Sequence, residues 1–158
     1  MQQDFNISEN SVIIHASVKD QFEIIKNLST LLYENGYVKE TYISAIQNRE
    51  KVYPTGLPTG TVGVAIPHTD AEHVISPAIA IATLKQPVCF SMMGNPEEKV
   101  SVNIVFMLAI KDPKSQIDML QNLSQIFQNA EILDKIRDLG NPRELIAEVR
   151  RELHCQSL

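Results

Sequence analysis

Gly63-Val64-Ala65-Ile66-Pro67-His68-Thr69-Asp70-Ala71-Glu72-His73 is a short apolar run that ends at a proline and then presents an imidazole. Val62, Val64 and Ile66 are β-branched, and Gly60 and Gly63 supply backbone freedom beside them, so the run reads as a buried strand stopped at Pro67. His68 then opens a loop. In α/β proteins ligands and chemistry gather at strand ends, which makes His68 a candidate nucleophile or acid/base. Position alone does not choose between these roles.

Immediately upstream, the stretch from Pro54 to Gly63 is dense in proline and glycine, which favours an ordered loop over helix or strand. Before it, Val38 to Glu50 reads as a helix carrying Tyr42, Ile43 and Ile46 inward, with Arg49, Glu50 and Lys51 at its exit and Pro54 forcing a break. Further upstream, Val12-Ile13-Ile14 is a short strand. Ser17 or Asp20 caps a helix whose apolar residues Phe22, Ile25, Leu28 and Leu32 recur at spacings of three and four until Gly36 stops it.

Downstream of His73, Ala78 to Leu84 and Val100 to Ile110 have the character of central strands, Val88-Cys89-Phe90 reads as an edge strand, and Gly94-Asn95-Pro96 marks a turn. Ile117, Leu120, Leu123, Ile126 and Phe127 then follow helical spacing after Asp112-Pro113, with Ser115 as the expected cap. Ala130 to Leu139 ends at Gly140, and Asn141-Pro142 opens a final helix carrying Leu145, Ile146 and Val149. Helices around apolar strands predict an α/β sandwich.

A chain of 158 residues with 44% hydrophobic content furnishes one domain core without disulfides or metal. Cys89 and Cys155 fit no disulfide framework and read as reduced bystanders. No apolar stretch approaches the roughly 20 residues that span a bilayer, and the Met1-Gln2-Gln3-Asp4 start lacks signal-peptide blocks, so a cytoplasmic protein is expected. The net charge of -5 and pI near 5.3 leave no polybasic footprint for nucleic acid or anionic membrane and suit a basic protein partner instead.

An ordinary imidazole is mostly neutral at cytoplasmic pH, so His68 meets the first requirement of a phosphoryl acceptor. The equatorial phosphoryl oxygens need donors such as an arginine fork, hydroxyls or backbone amides, and Arg49, Thr55 and Thr69 are the candidates. The competing reading is that His68 only caps a strand and that Arg49 is a solvated charge at a helix end. His68, Asp70, Glu72 and His73 do not have the spacing of a recognised zinc signature, so no metal ligands are assigned.

Taken together, Arg49-Glu50-Lys51, Pro54-Thr55-Gly56 and Gly63-Val64-Ala65-Ile66-Pro67-His68 resemble the signature of the fructose/mannitol-type (type 2) enzyme IIA family of the bacterial sugar phosphotransferase system (PTS). The resemblance continues through Pro77 to Ala80 and Val105 to Ile110 to the helix near Gln116, and so covers nearly the whole chain. It implies a single domain over 1–158, a three-layer α/β/α sandwich with a mixed central sheet, and no dissolved cofactor. It also implies a cytoplasmic phosphotransferase whose His68 takes phosphate from the carrier HPr and passes it to a cysteine of enzyme IIB, which serves the membrane component enzyme IIC. Arg49 matches the family arginine near the phosphoryl group. Mannitol-type members carry a second histidine where this chain has Gln116, an amide that donates a hydrogen bond but does not titrate. With His73 following the Pro-His motif, the pattern looks most like the galactitol-type branch. The small residue usual after the active histidine is replaced by Thr69, and His73 is either a partner of His68 or a bystander. A regulatory phospho-acceptor module, whose His68 phosphorylation controls a partner protein, is the alternative the resemblance leaves open.

Overall fold

The computed structural model describes residues 5–157 and, in the last helix, side chains up to Leu153; Cys155 lies beyond those side chains. Five strands, β1 (Val12–Ala16), β2 (Gly56–Leu57), β3 (Gly63–Ala65), β4 (Ala78–Met92) and β5 (Asn95–Ala109), form one mixed sheet. β4 and β5 make a long antiparallel hairpin, paired from Ala78 opposite Ala109 to Met92 opposite Asn95 with register shifts between Thr83 and Val88 and between Ser91 and Met92. β1 adds in parallel to β4, and β3 in parallel to β5.

Alternation along the hairpin sorts the core into two faces, because successive strand residues point to opposite sides. Ala78, Ala80, Ala82, Val105, Met107 and Ala109 face one side with Ile24, Leu28, Leu32, Tyr42 and Ile46 from α1 (Gln21–Glu34) and α2 (Thr41–Val52). Ile79, Ile81, Ile104, Phe106 and Leu108 face the other, against α3 (Pro113–Phe127), α4 (Ala130–Asp138) and α5 (Pro142–Ser157). The small alanines on the first face leave room for α1 to lie close; the larger isoleucines fill the second. This is the expected three-layer α/β/α sandwich with a mixed central sheet.

The local signals held at several ends and failed at others. Asp20 caps α1, accepting from the Glu23 N–H, and Gly36 ends it at φ +80°, a conformation that costs glycine least. The helix predicted from Val38 starts only at Thr41, because Val38 bridges Val74 and the Lys39 N–H donates to the His73 carbonyl. Val88 to Phe90 is not a separate edge strand: it continues β4 and pairs with Val100 to Val102. At α3, Asp112 is the cap and Ser115 donates to it, with Pro113 in the first turn.

The proline- and glycine-rich stretch contains the short strand β2, which pairs antiparallel with β3. A side chain at Gly63 would overlap the Ser101 carbonyl of β5, so only glycine lets β3 approach its partner. Gly63→Ala is expected to lower stability by roughly 3 kcal/mol through overpacking. Gly60→Ala, whose Cβ would meet nothing within 4 Å, is expected to be near neutral. Paired thermal melts of the two variants check this.

Candidate functional site

The site is built where β3 stops. Pro67 has no N–H to extend the ladder, yet its carbonyl accepts from the Leu108 N–H at 2.9 Å, and His68 bridges Leu108 in parallel. Because β3 and β5 run parallel, the segments that follow them emerge at the same end of the sheet. One delivers His68. The other leads through Asp112 into α3, whose first turn carries the half-buried Gln116.

His68 is partly buried, and its Nδ1 lies 2.7 Å from the Ile66 carbonyl oxygen. A carbonyl only accepts, so the neutral ring carries its proton on Nδ1 and its lone pair on Nε2. Burial, the largest influence, pulls the imidazole below its ordinary titration range, and the Arg49 charge adds to this against opposing contributions from the Ile66 bond and Asp70. The ring is therefore neutral at pH 7 with one nitrogen committed and the other available for attack.

Arg49 occupies the last turn of α2. Its guanidinium lies 5.1 Å over the Tyr53 ring and reaches Asp70 at 3.4 Å, with the two side chains 33% and 68% exposed. An ion pair that long and that wet contributes little, so the guanidinium is only weakly committed to Asp70. α2 is itself tied to the site: the buried Tyr42 hydroxyl donates to the Leu108 carbonyl at 2.7 Å. The sequence reading missed this tether.

It also missed the burial of Glu50, which it placed only at the exit of the helix. Its carboxyl accepts from the Thr55 N–H at 2.9 Å and from the Thr55 hydroxyl at 2.9 Å, while burial pushes its pKa up to about 7. Thr55 is buried as well, and its hydroxyl proton is committed to Glu50 rather than offered to a ligand. Thr69 is buried next to His68.

The ring of His73 is engaged elsewhere. Its Nδ1 meets the Thr41 hydroxyl at 2.9 Å and its Nε2 lies 3.6 Å from Glu72, which staples the turn Ala71–His73 to the start of α2. Among the described residues no group of three or more His, Cys, Asp or Glu side chains is placed to hold a metal ion. A groove of about 390 Å³ lined by Leu57, Thr59, Ser124 and Phe127 lies between β2 and the α3–α4 corner and does not include His68.

Residues 6–151 match the model of a family described as the phosphoenolpyruvate-dependent sugar phosphotransferase system, EIIA 2. The chain belongs to that family. EIIA domains of this system are phosphotransferases that carry a phosphoryl group. The chain is 28% identical over 120 residues to the galactitol-specific EIIA component of Escherichia coli K12, covering 76% of this chain and 79% of that protein. It is 34% identical over 141 residues to the transcriptional regulator ManR of Bacillus subtilis 168, covering 85% of this chain but only 20% of ManR. The fold superposes with a TM-score of 0.75 on the complex of mannitol enzyme IIA with phosphorylated enzyme IIB of Escherichia coli, at 18% identity and covering 95% of this chain and 98% of that one. No helix among the described residues is long and apolar enough to cross a membrane.

Proposed function

We propose that His68 accepts a phosphoryl group from phosphorylated HPr and passes it to a cysteine of enzyme IIB in the uptake of a sugar alcohol of the galactitol type. The observation that carries this reading is the Nδ1–H bond to Ile66, which leaves the Nε2 lone pair as the nucleophile. As the Nε2–P bond forms, the N–P bond to the carrier histidine breaks and its electrons return to the carrier ring. The His68 ring becomes cationic while it holds the group, and the Ile66 carbonyl, still accepting from Nδ1, steadies that charge. A thiolate of enzyme IIB then attacks phosphorus, and the Nε2–P electrons return to leave His68 neutral again. Arg49 supplies a guanidinium fork for the equatorial oxygens, and Gln116 and the hydroxyl of Thr69 are the further donors at this end of the sheet. Docking fixes the two nucleophiles in line, so much of the acceleration is proximity. His73 supports the loop from outside rather than reacting.

The galactitol-type relative supports the sugar class, and the whole 1–158 chain acts as one EIIA domain in this reading, working in the cytoplasm and reaching enzyme IIC only through enzyme IIB. The likeness to a segment of ManR supports the second reading, in which phosphorylation of His68 controls a partner protein. The test is incubation with phosphorus-labelled HPr followed by a chase with the galactitol enzyme IIB. Label that moves onto the IIB cysteine supports transport; label that stays on this chain supports the regulator; failure to label refutes both.

Because the folded imidazole titrates below its ordinary range, the reactive neutral form persists into mildly acid solution. Acceptance of phosphate is expected to hold as pH falls through the ordinary histidine value of about 6.5 and to drop only through the lower folded pKa. A single-turnover pH series, with the carrier's own titration measured in parallel, checks the position of that acid limb. Stability follows the same sign: below about 6.5 the unfolded chain binds the proton that the folded ring resists, so this group's contribution shrinks as pH falls toward the folded pKa.

A further inference from the structure

We infer that Glu50 and Thr55 are positioning residues for His68, acting through a continuous run of hydrogen bonds that ends on the proton of its Nδ1. The run is short and every link is buried or partly so. The Thr55 N–H and hydroxyl donate to the Glu50 carboxyl, the Ile66 N–H donates to the Thr55 carbonyl at 3.3 Å, and the His68 Nδ1–H donates to the Ile66 carbonyl at 2.7 Å.

Each link fixes the residue that carries the next acceptor. Glu50 holds both donors of Thr55, which sets where the Thr55 carbonyl points. That carbonyl holds Ile66 in place from the β2 side, while the Pro67 carbonyl is held from the β5 side by the Leu108 N–H. The Ile66 carbonyl is thereby aimed at the imidazole, and the ring is held in the Nδ1–H tautomer, which leaves the lone pair on Nε2. A buried carboxyl without this duty is hard to explain: it is costly to bury, and an apolar residue would fill the i, i+4, i+8 stripe of Tyr42 and Ile46 at no such cost. Its neighbour in sequence is Arg49, so the same anchor holds the last turn of α2 that presents the guanidinium.

The inference rests on reading His68 as the phosphoryl acceptor, and two measurements keep the two apart. Nitrogen-15 spectra of His68 at neutral pH report which ring nitrogen carries the proton, whatever the function. Single-turnover labelling from phosphorylated HPr reports the reaction. Thr55→Val, which removes the hydroxyl, and Glu50→Gln, which replaces one acceptor oxygen by an amide donor, are expected to shift His68 toward the Nε2–H tautomer. Both are expected to slow labelling about tenfold at saturating HPr with an unchanged half-saturating concentration. Thr55→Ser, which keeps the hydroxyl, is expected to restore the Nδ1–H signature and the rate.

Folded Thr55→Val and Glu50→Gln proteins with wild-type tautomer and wild-type rate would overturn the inference. So would a rate loss in Thr55→Ser equal to that in Thr55→Val, because the hydroxyl would then not be the operative group. If Thr55→Val does not fold, the nearly isosteric Glu50→Gln decides by the same two readouts. An unlabelled wild-type protein refutes the acceptor role and leaves the tautomer result to judge the positioning.

Discussion

His68→Ala is expected to accept no phosphate from HPr, with labelling below about a thousandth of the wild-type rate, while the protein stays folded. Removing the nucleophile leaves nothing to form the N–P bond, and the other imidazole of this loop is no substitute. His73 has its ring nitrogens at Thr41 and Glu72 and is held by its own backbone bonds to Asp70 and Lys39. The structural cost is small because His68 contributes one side-chain hydrogen bond, to Ile66, at a partly buried position, a loss of about 1 kcal/mol. Labelling resolved on a denaturing gel, beside a melting curve of the variant, separates loss of the acceptor from loss of the fold. Equal label on wild type and variant would move the acceptor to another residue.

Arg49→Gln is expected to slow labelling by a factor of about 10² to 10³, the usual cost of losing one preorganised donor to developing charge. The fold tolerates the change, since the exposed contact to Asp70 is long and the guanidinium otherwise lies against an exposed tyrosine. Arg49→Lys is expected to recover only part of the rate, because a point charge does not present the planar fork that matches two phosphoryl oxygens. The same variants carry a second readout with a fixed sign. Arg49 is one of the influences that lower the His68 pKa, so its loss raises the imidazole titration midpoint toward the ordinary value, whereas lysine leaves it nearly in place. Single-turnover rates and a proton NMR titration of the imidazole measure the two effects on the same samples. A wild-type rate in Arg49→Gln would remove the guanidinium from the reaction.

Much of this was legible in the residues. The Ile66-Pro67-His68 boundary locates the end of β3 because proline withdraws a donor from the ladder, and the apolar runs of β4 and β5 announce strands buried on both faces. The capping of α1 by Asp20 and its stop at Gly36 follow from local chemistry. What was not legible depends on partners distant in sequence. β2 is a strand because Gly56 meets Ala65 and packs against the Ser91 carbonyl, which no property of Gly56-Leu57 announces. The start of α2 was misplaced because Val38 and Lys39 are claimed by the turn before β4.

The burial of Glu50 was hidden by its chemistry. Lying between two basic residues, it reads as part of a solvated run, although its spacing from Tyr42 and Ile46 puts it on the inward stripe of α2. The phase of the helix, not the charge, was the signal to follow. Thr55 was singled out as a phosphate donor on its hydroxyl, and that hydroxyl turns to Glu50 instead.

Leu108 carries a load out of proportion to its chemistry: its N–H holds the peptide just ahead of the imidazole, and its carbonyl holds the tyrosine of the helix that bears the guanidinium. The imidazole and the arginine-bearing helix thus share one anchor. A displacement of Leu108 therefore bears on both at once, so a substitution that shifts this end of β5 is expected to disturb the imidazole and the arginine-bearing helix together.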